Sequence, residues 1–164
     1  MRYKAVVITI SDKGSRGERE DTSGPGLRRQ LQKDYEVADV VVIPDDMNLI
    51  RDELVKQVDE KGMDLVVTTG GTGVGPRDVT PEATRAAIEK DLPGFAEAMR
   101  MESYRTITPH SLISRAICGI RGRSIIVNLP GSPKAAAECL SFIETALPHA
   151  LDKLQGDPTE CART

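Results

Sequence analysis

The segment Asp64-Leu65-Val66-Val67-Thr68-Thr69-Gly70-Gly71-Thr72-Gly73 is an apolar, β-branched run that leads directly into glycines. Continuous runs of this kind are typical of strands buried on both faces of a parallel sheet. Glycines after such a strand allow backbone N–H groups to approach phosphate oxygens closely, and the threonine hydroxyls add donors. The spacing matches neither a Walker A loop nor the dinucleotide-binding fingerprint. The segment predicts a buried parallel strand followed by a phosphate-binding loop, with a tight turn that binds nothing as the alternative.

Strand-like and helix-like segments alternate on both sides of this stretch. Further strands are predicted at residues 3–10, 37–43, 117–120 and 124–129. Helices are predicted at 25–33, at 95–104 and in a short piece before 115. Three more are predicted to begin at capping residues: one runs from Asn48 to Gly62, one from Thr80 to about 90, and one from Ser132 to Leu151. This alternation implies an α/β domain with three α/β/α layers and a mostly parallel sheet.

Length and charge limit the class of protein. The 164 residues indicate one domain over 1–156 and a loose C-terminal tail over 157–164. Lys and Arg number 22 against 25 acidic residues, the formal net charge is -3, and aromatic residues make up only 3%. Surfaces that bind nucleic acid or anionic membranes carry excess positive charge or aromatic platforms, so this composition argues against both partners.

The cysteines and histidines form no recognisable metal or disulfide pattern. Cys118, Cys139 and Cys161 are odd in number and lack Cys-x-x-Cys spacing, while His110 and His149 lie far apart in sequence. Free thiols in a reducing cytosol are therefore expected. The chain opens on a strand-like run and contains no apolar window of membrane-spanning length, so a cytoplasmic location is expected.

Three aspartates follow the ends of predicted strands. Asp45 and Asp46 come after the strand at 37–43, and Asp78 follows the glycine-rich loop. Ligands of open α/β sheets bind beyond the carboxyl ends of the strands, and Mg²⁺ prefers a few carboxylates together with substrate phosphates. We expect Asp45 and Asp78 to hold Mg²⁺, and we interpret Asp46 as a turn or helix-capping residue.

Other polar loops follow strands on the same predicted edge. Ser11-Asp12 closes the first strand, and both a functional loop and a simple turn are open there. Ser132 at a helix start, with Lys134 nearby, forms either an anion site or a plain strand-to-helix turn. Ser114-Arg115 is within reach of a phosphate, although a surface salt bridge is the commoner role of such an arginine.

Six motifs occur in a specific order along the chain: Ile8-Thr9-Ile10-Ser11-Asp12, Asp21-Thr22-Ser23-Gly24, Ile43-Pro44-Asp45, Thr68-Thr69-Gly70-Gly71-Thr72-Gly73, Arg77-Asp78-Val79-Thr80-Pro81-Glu82-Ala83 and Leu129-Pro130-Gly131-Ser132-Pro133-Lys134. Together they resemble the molybdopterin-binding family called MogA/MoaB, and the eukaryotic gephyrin G domain is similar. The resemblance covers nearly the whole chain.

The resemblance implies a homotrimer, with a hexamer as the alternative, and molybdopterin adenylyltransferase activity. Molybdopterin and Mg-ATP would give adenylyl-molybdopterin and pyrophosphate, and a separate partner protein would later insert molybdate. MogA-type members carry an aspartate after Ile-Pro and an Arg-Asp pair, which this chain keeps as Asp45, Arg77 and Asp78. A non-catalytic molybdopterin-binding or scaffold protein of the MoaB type is the alternative, and a generic nucleotide-binding domain is a third.

A division of the site between the two substrates follows as a hypothesis. The backbone of 70–73 would cradle the nucleotide phosphates, and Pro130-Gly131-Ser132 would line the nucleotide pocket. The side chains expected toward the pterin and its phosphate are Ser11, Asp12, Thr80, Ser114 and Arg115. The candidate site further includes Thr69, Gly70, Gly71, Thr72, Gly73, Arg77 and Lys134.

Overall fold

A seven-stranded sheet lies at the centre of the structure, a computed structural model that describes residues 2–159. Its order is β2-β1-β4-β7-β6-β5, and β3 also pairs with β1. The neighbours of β1 and β4 are all parallel, whereas β5 and β6 add an antiparallel edge. The strands are β1 Lys4–Ile10, β2 Glu36–Val37, β3 Val41–Ile43, β4 Leu65–Thr69, β5 Lys90–Asp91, β6 Cys118–Arg121 and β7 Ser124–Leu129.

Helices cover both faces of this sheet. They are α1 Asp12–Ser15, α2 Ser23–Leu31, α3 Met47–Asp59, α4 Thr80–Ala87, α5 Pro93–Thr106, α6 Pro133–Ile143 and α7 Leu147–Leu154, together with a 3₁₀ helix at Pro109–Ile113. Alternate residues of β4 point into separate cores: Leu65 and Val67 pack with α2, α5, α6 and α7, while Val66 packs with α3 and α4. The predicted three-layer α/β fold with a mostly parallel sheet is confirmed.

The strand predicted at 37–43 is divided into β2 and β3. Val37 pairs with Ala5 and Val41 pairs with Ile8, so four steps along this segment match three steps along β1. One extra residue therefore interrupts the ladder, as in a β-bulge. The alternating apolar pattern contains no sign of that insertion.

Two of the predicted helix caps are wrong. The α3 helix is capped by Asp46, whose carboxylate accepts from Leu49 N at 2.9 Å, and Asn48 lies inside the helix. The capping interpretation of Asp46 is confirmed. Thr80 does not cap α4, because its hydroxyl donates to Gly70 O at 2.9 Å. The α4 helix ends at Ala87 because the following residues pair with β6 as strand β5.

The single helix predicted at the C-terminal end is two helices. Pro148 lacks a backbone N–H, and its ring would collide with the carbonyl four residues earlier in a continuous helix. The chain therefore breaks between Ile143 and Leu147. Of the predicted tail over 157–164, only 157–159 is described, so most of that segment and Cys161 lie outside the described residues. In the described part of the chain, no helix combines the length and hydropathy that a membrane crossing needs.

Candidate active site at the carboxyl edge of the sheet

The turn after β4 requires glycine at two consecutive positions. Gly70 has φ +105° and Gly71 has φ +67°, in the region that L side chains rarely adopt. A methyl group on Gly70 would collide with Ile10 O, and one on Gly71 would collide with the Thr80 hydroxyl. The turn after β4 therefore lies directly against the end of β1 and the start of α4.

Asp45 lies beside this turn, and Asp12 holds it in place. The two aspartates exchange hydrogen bonds: Asp12 N donates to Asp45 Oδ2 at 2.9 Å, and Asp45 N donates to Asp12 Oδ1 at 3.0 Å. A methyl group on Gly71 would lie 3.0 Å from Asp45 Oδ1. The Asp45 carboxylate therefore directs one oxygen toward the glycine turn while its other oxygen is fixed by the loop after β1.

The carboxylate of Asp78 is fixed by its own loop. Gly75 N donates to Asp78 Oδ2 at 2.9 Å, and Asp78 N donates to Gly75 O at 3.0 Å. Methyl groups on Gly73 or Gly75 would each lie 2.9 Å from Asp78 Oδ2. The glycines of this loop therefore make room for the Asp78 carboxylate.

Asp45 and Asp78 form a donor set that fits Mg²⁺. Both border the same cavity, and both supply hard carboxylate oxygens. Within residues 2–159 no group of three or more His, Cys, Asp or Glu side chains is placed to hold a metal ion. Mg²⁺ commonly binds through one or two carboxylates plus waters and substrate phosphates, so two aspartates are sufficient here.

The electrostatic setting of Asp45 favours a bound cation. Burial raises the pKa of its carboxyl group above the usual value, and the charges of Asp12 and Asp78 act in the same direction. A hydrogen bond from the Asp12 backbone and the charge of Arg77 oppose that shift of the pKa. Burial is the largest of these causes, so the ionised carboxylate of Asp45 is poorly solvated, and a bound divalent cation would stabilise it.

Two cavities meet at this site. The first, which we call the polar cavity, has a volume of about 390 Å³ and is bordered by Ser11, Asp45 and Ser132. The second, which we call the apolar cavity, has a volume of about 440 Å³ and is bordered by Met99, Ile113 and other mostly apolar groups. Both cavities include Gly71, Asp78 and Gly131 in their walls. The two spaces therefore adjoin, and Asp78 faces both.

The wall between the cavities is fixed by buried hydroxyls. Thr69 Oγ1 donates to Pro130 O at 2.6 Å and lies 2.8 Å from Ser23 Oγ. A methyl group on Gly131 would lie 3.3 Å from the Gly70 Cα, so the two turns are in close contact. Ser132 caps α6 by accepting from Ala135 N at 3.4 Å, as its helix-start pattern predicts. These contacts position the Pro130-Gly131-Ser132 turn against the glycine-rich loop.

Arg115 supports the glycine-rich loop from its other side. Its side chain donates to Gly73 O at 2.7 Å and to Asp78 O at 2.8 Å, and it pairs with Glu82. Its backbone N donates to Thr72 O at 2.8 Å. Arg115 thus forms a salt bridge, the commoner role of such an arginine. The same guanidinium also fixes the shape of the loop that carries Asp78.

The structure separates several of the predicted site residues. Ser11 borders the polar cavity and Ser114 borders the apolar cavity, so the two do not face one ligand space. Thr80 is fully buried, which makes it a support of the Gly70 turn rather than a ligand contact. Lys134 is exposed and borders neither cavity.

Residues of two helices line the apolar cavity without having been predicted. They are Ala96, Met99, Arg100 and Ser103 of α5 and Ala135, Glu138 and Cys139 of α6. Met99, Ser103 and Cys139 are buried at helical spacing, so they resemble ordinary core positions in sequence. His110 lies in the 3₁₀ helix and borders the same cavity. Asp21 borders the polar cavity and accepts from Thr9 Oγ1 and Gly24 N.

Comparison with known proteins places the chain among molybdopterin proteins. Residues 6–149 match the family described as "Probable molybdopterin binding domain". The chain is 42% identical to a molybdopterin adenylyltransferase of Helicobacter pylori J99, with 92% of this chain and 87% of the relative covered. It is 42% identical to the molybdenum cofactor synthesis protein cinnamon of Drosophila melanogaster, of which it spans only 26%. The crystal structure of the molybdopterin biosynthesis enzyme MoaB from Thermus thermophilus superposes with a TM-score of 0.88 at 45% identity, covering 96% of this chain and 99% of that one.

Proposed function

Because the chain belongs to this family of molybdopterin-binding domains, we propose that it is a molybdopterin adenylyltransferase. It transfers AMP from ATP to the terminal phosphate of molybdopterin and releases pyrophosphate. The observation that carries this proposal is the pair of adjoining cavities that share Gly71, Asp78 and Gly131. An enzyme that joins two substrates needs two spaces that meet where the phosphates react.

The contents of the cavities suggest which substrate each one takes. The polar cavity, with Asp45, Ser11 and Ser132 in its wall, suits the triphosphate of ATP. The apolar cavity, with Met99 and Ile113, suits the flat pterin. This arrangement keeps the Pro130-Gly131-Ser132 turn on the nucleotide side and moves Ser11 from the pterin side to the nucleotide side.

Substitution of the two serines tests this assignment. Ser11→Ala should raise the KM for ATP several-fold and leave the KM for molybdopterin unchanged, because Ser11 borders only the polar cavity of the two. Ser114→Ala should do the opposite. Steady-state kinetics with each substrate varied in turn separates these effects, and the reverse pattern would exchange the substrates between the cavities.

The chemistry requires positioning more than proton transfer. A phosphate monoester has a second pKa near ~6, so the terminal phosphate of molybdopterin is largely dianionic at neutral pH and needs no strong base. The backbone N–H groups of the glycine-rich loop offer donors to the phosphates. Asp45 and Asp78 would hold Mg²⁺, which neutralises phosphate charge when bound. The remaining task of the protein is to hold two anions in line at the shared wall.

Two conservative substitutions test the catalytic assignment. Asp45→Asn and Asp78→Asn keep the size of each side chain and remove its charge. Each variant should still bind molybdopterin but lose at least about 100-fold in adenylylation, as expected when charge stabilisation at a reacting phosphate is removed. Asp46→Asn is the matched control, because Asp46 caps α3 and lies in neither cavity wall. Wild-type turnover by either of the first two variants would remove that aspartate from the site.

The assembly state, the partner and the location are further proposals. A homotrimer, with a hexamer as the alternative, is supported by exposed apolar side chains on α5 and the 3₁₀ helix, which a second copy would cover: Met101, Tyr104 and Leu112. Sedimentation equilibrium measures the assembly state.

A cytoplasmic location is supported by the free thiols of Cys118 and Cys139. Insertion of molybdate would fall to a separate protein.

A further inference from the structure

We propose that Asp12 and Arg77 form a positioning clamp that sets Asp45 against Asp78, and that neither side chain contacts a substrate. The inference rests on the proposed function, since it concerns the two carboxylates assigned to the metal. It changes the roles expected from the sequence, which placed Asp12 and Arg77 among the ligand-binding residues.

The first observation is that Asp12 is already occupied on the protein side. Asp12 Oδ1 accepts from Asp45 N and from Arg77 Nη2, each at 3.0 Å, and Asp12 Oδ2 accepts from Arg77 Nε at 3.0 Å. A carboxylate has about four lone-pair sites, so three are in use. Asp12 is therefore a poor candidate for a metal or phosphate contact.

The second observation is that Arg77 joins three loops. It precedes Asp78 in the loop after β4, binds the carboxylate of Asp12 after β1, and donates from Nη2 to Asp45 O at 3.0 Å after β3. The bidentate geometry of an arginine–carboxylate pair restricts orientation as well as distance. The clamp therefore connects the backbone on either side of the candidate metal position.

The third observation is that stability alone gives little reason for this pair. The side chain of Arg77 is 68% exposed and that of Asp12 is 25% exposed. Ion pairs this open to water contribute little to folding. Neither residue borders the polar or the apolar cavity. The pair contributes little to folding and lies outside both cavities, yet it makes four hydrogen bonds across three loops. A role in fixing the relative positions of these loops explains the pair best.

Metal affinity, measured without turnover, tests the clamp. The probe is Mn²⁺ bound in the presence of a non-hydrolysable ATP analogue and followed by electron paramagnetic resonance. Arg77→Met and Asp12→Asn should each raise the Kd for Mn²⁺ about 10-fold, as is usual when a residue that positions a metal ligand is lost. The double variant should be no worse than either single variant, because both substitutions open the same clamp. Arg77→Lys should fall between wild type and Arg77→Met, since a lysine cannot make the bidentate contact.

A matched control is available on α4. Arg85 forms an exposed pair with Asp91 at 3.4 Å, with side chains 62% and 63% exposed, and Arg85→Met should leave the Kd for Mn²⁺ unchanged. Urea unfolding of every variant checks that the fold is intact. In steady-state kinetics, the Mg²⁺ concentration for half-maximal rate should rise in the clamp variants while the KM for molybdopterin stays constant.

Three results would overturn the clamp. A raised KM for ATP or molybdopterin with an unchanged Kd for Mn²⁺ would make Arg77 a substrate contact. Additive losses in the double variant would make the two residues independent. Failure of the wild type to bind Mn²⁺ with the analogue would remove the metal position itself. A wild type that binds Mn²⁺ but adenylylates nothing would instead contradict the proposed function and leave the clamp intact.

Discussion

Asp45 carries a carboxyl group whose surroundings favour its protonated form, because burial and two neighbouring carboxylates raise its pKa. A group that binds protons more tightly in the folded state destabilises the fold as pH rises between its unfolded and folded pKa values. Without a metal, ionised Asp45 therefore costs stability at neutral pH. Such a cost is expected where a binding site conflicts with the stability of the free protein.

Asp45→Asn should accordingly stabilise the metal-free protein while it abolishes activity. We expect a gain of about 1 kcal/mol in the free energy of unfolding at pH 7, the usual size of such gains at functional sites. The gain should shrink as pH falls toward the ordinary carboxyl pKa near ~4, because the wild-type side chain is then protonated too. Urea titrations in EDTA at pH 7 and pH 4.5 measure the difference. A loss of stability at pH 7 would show that Asp45 is held by favourable contacts instead.

Gly70 is the position where the backbone itself needs a particular residue. Gly70→Ala would place a methyl group against Ile10 O at φ +105°. We expect a loss of about 2 kcal/mol or more, since the left-handed region alone costs about 1–2 kcal/mol for an L residue. Thermal or urea unfolding measures it.

Gly26 provides the matched control for that substitution. It lies in α2, and the nearest atom to an added methyl group is Arg29 Nη2 at 3.9 Å. Gly26→Ala should stabilise the protein by roughly 0.5–1 kcal/mol, because alanine loses less conformational freedom in a helix. Equal effects of the two substitutions would contradict the strained geometry of the turn.

At the scale of secondary structure, the sequence predicts which segments are helices better than where they begin. Both Asp46 and Asn48 are residue types that cap helices. The pattern of apolar residues that follows fits either start, so Asn48 was a reasonable prediction. The structure selects Asp46 because the bonds that hold Asp45 to the loop after β1 fix where the helix can begin.

Paired substitutions at the start of α3 test the corrected cap. Asp46→Ala should lower the free energy of unfolding by about 1 kcal/mol, the usual cost of a lost N-cap. Asn48→Ala should change it by no more than about 0.5 kcal/mol, as for other exposed surface positions. Urea unfolding at pH 7 compares them, and a larger loss at Asn48 would restore the original prediction.

The cause of the interruption between β2 and β3 lies outside the segment that is interrupted. The extra residue between Val37 and Val41 is defined only by pairing with Ala5 and Ile8 of a distant strand. The break before α7 is different in kind: Pro148 is visible in the sequence and signals it directly. The first feature was out of reach of sequence reasoning, and the second was not.

At the scale of the whole molecule, the sequence predicts which loops meet at the candidate site, but it does not predict which helices line its cavities. Parallel strands end at one edge of a sheet, so loops after β1, β3, β4 and β7 had to meet there. That rule brings Ser11, Asp45, Asp78 and Gly131 together. The α5 and α6 residues that line the apolar cavity carry no such signal. A Met99 that faces a cavity and one that faces the core look alike in sequence.

The most direct test of the account is the reaction itself. Purified protein is mixed with Mg-ATP and molybdopterin, and pyrophosphate and adenylyl-molybdopterin are quantified together. The account predicts that the two products form in equal amounts, and that Asp45→Asn and Asp78→Asn abolish both while molybdopterin remains bound. Binding of molybdopterin by the wild-type protein without release of pyrophosphate would contradict it, and would leave a molybdopterin-binding protein without catalysis.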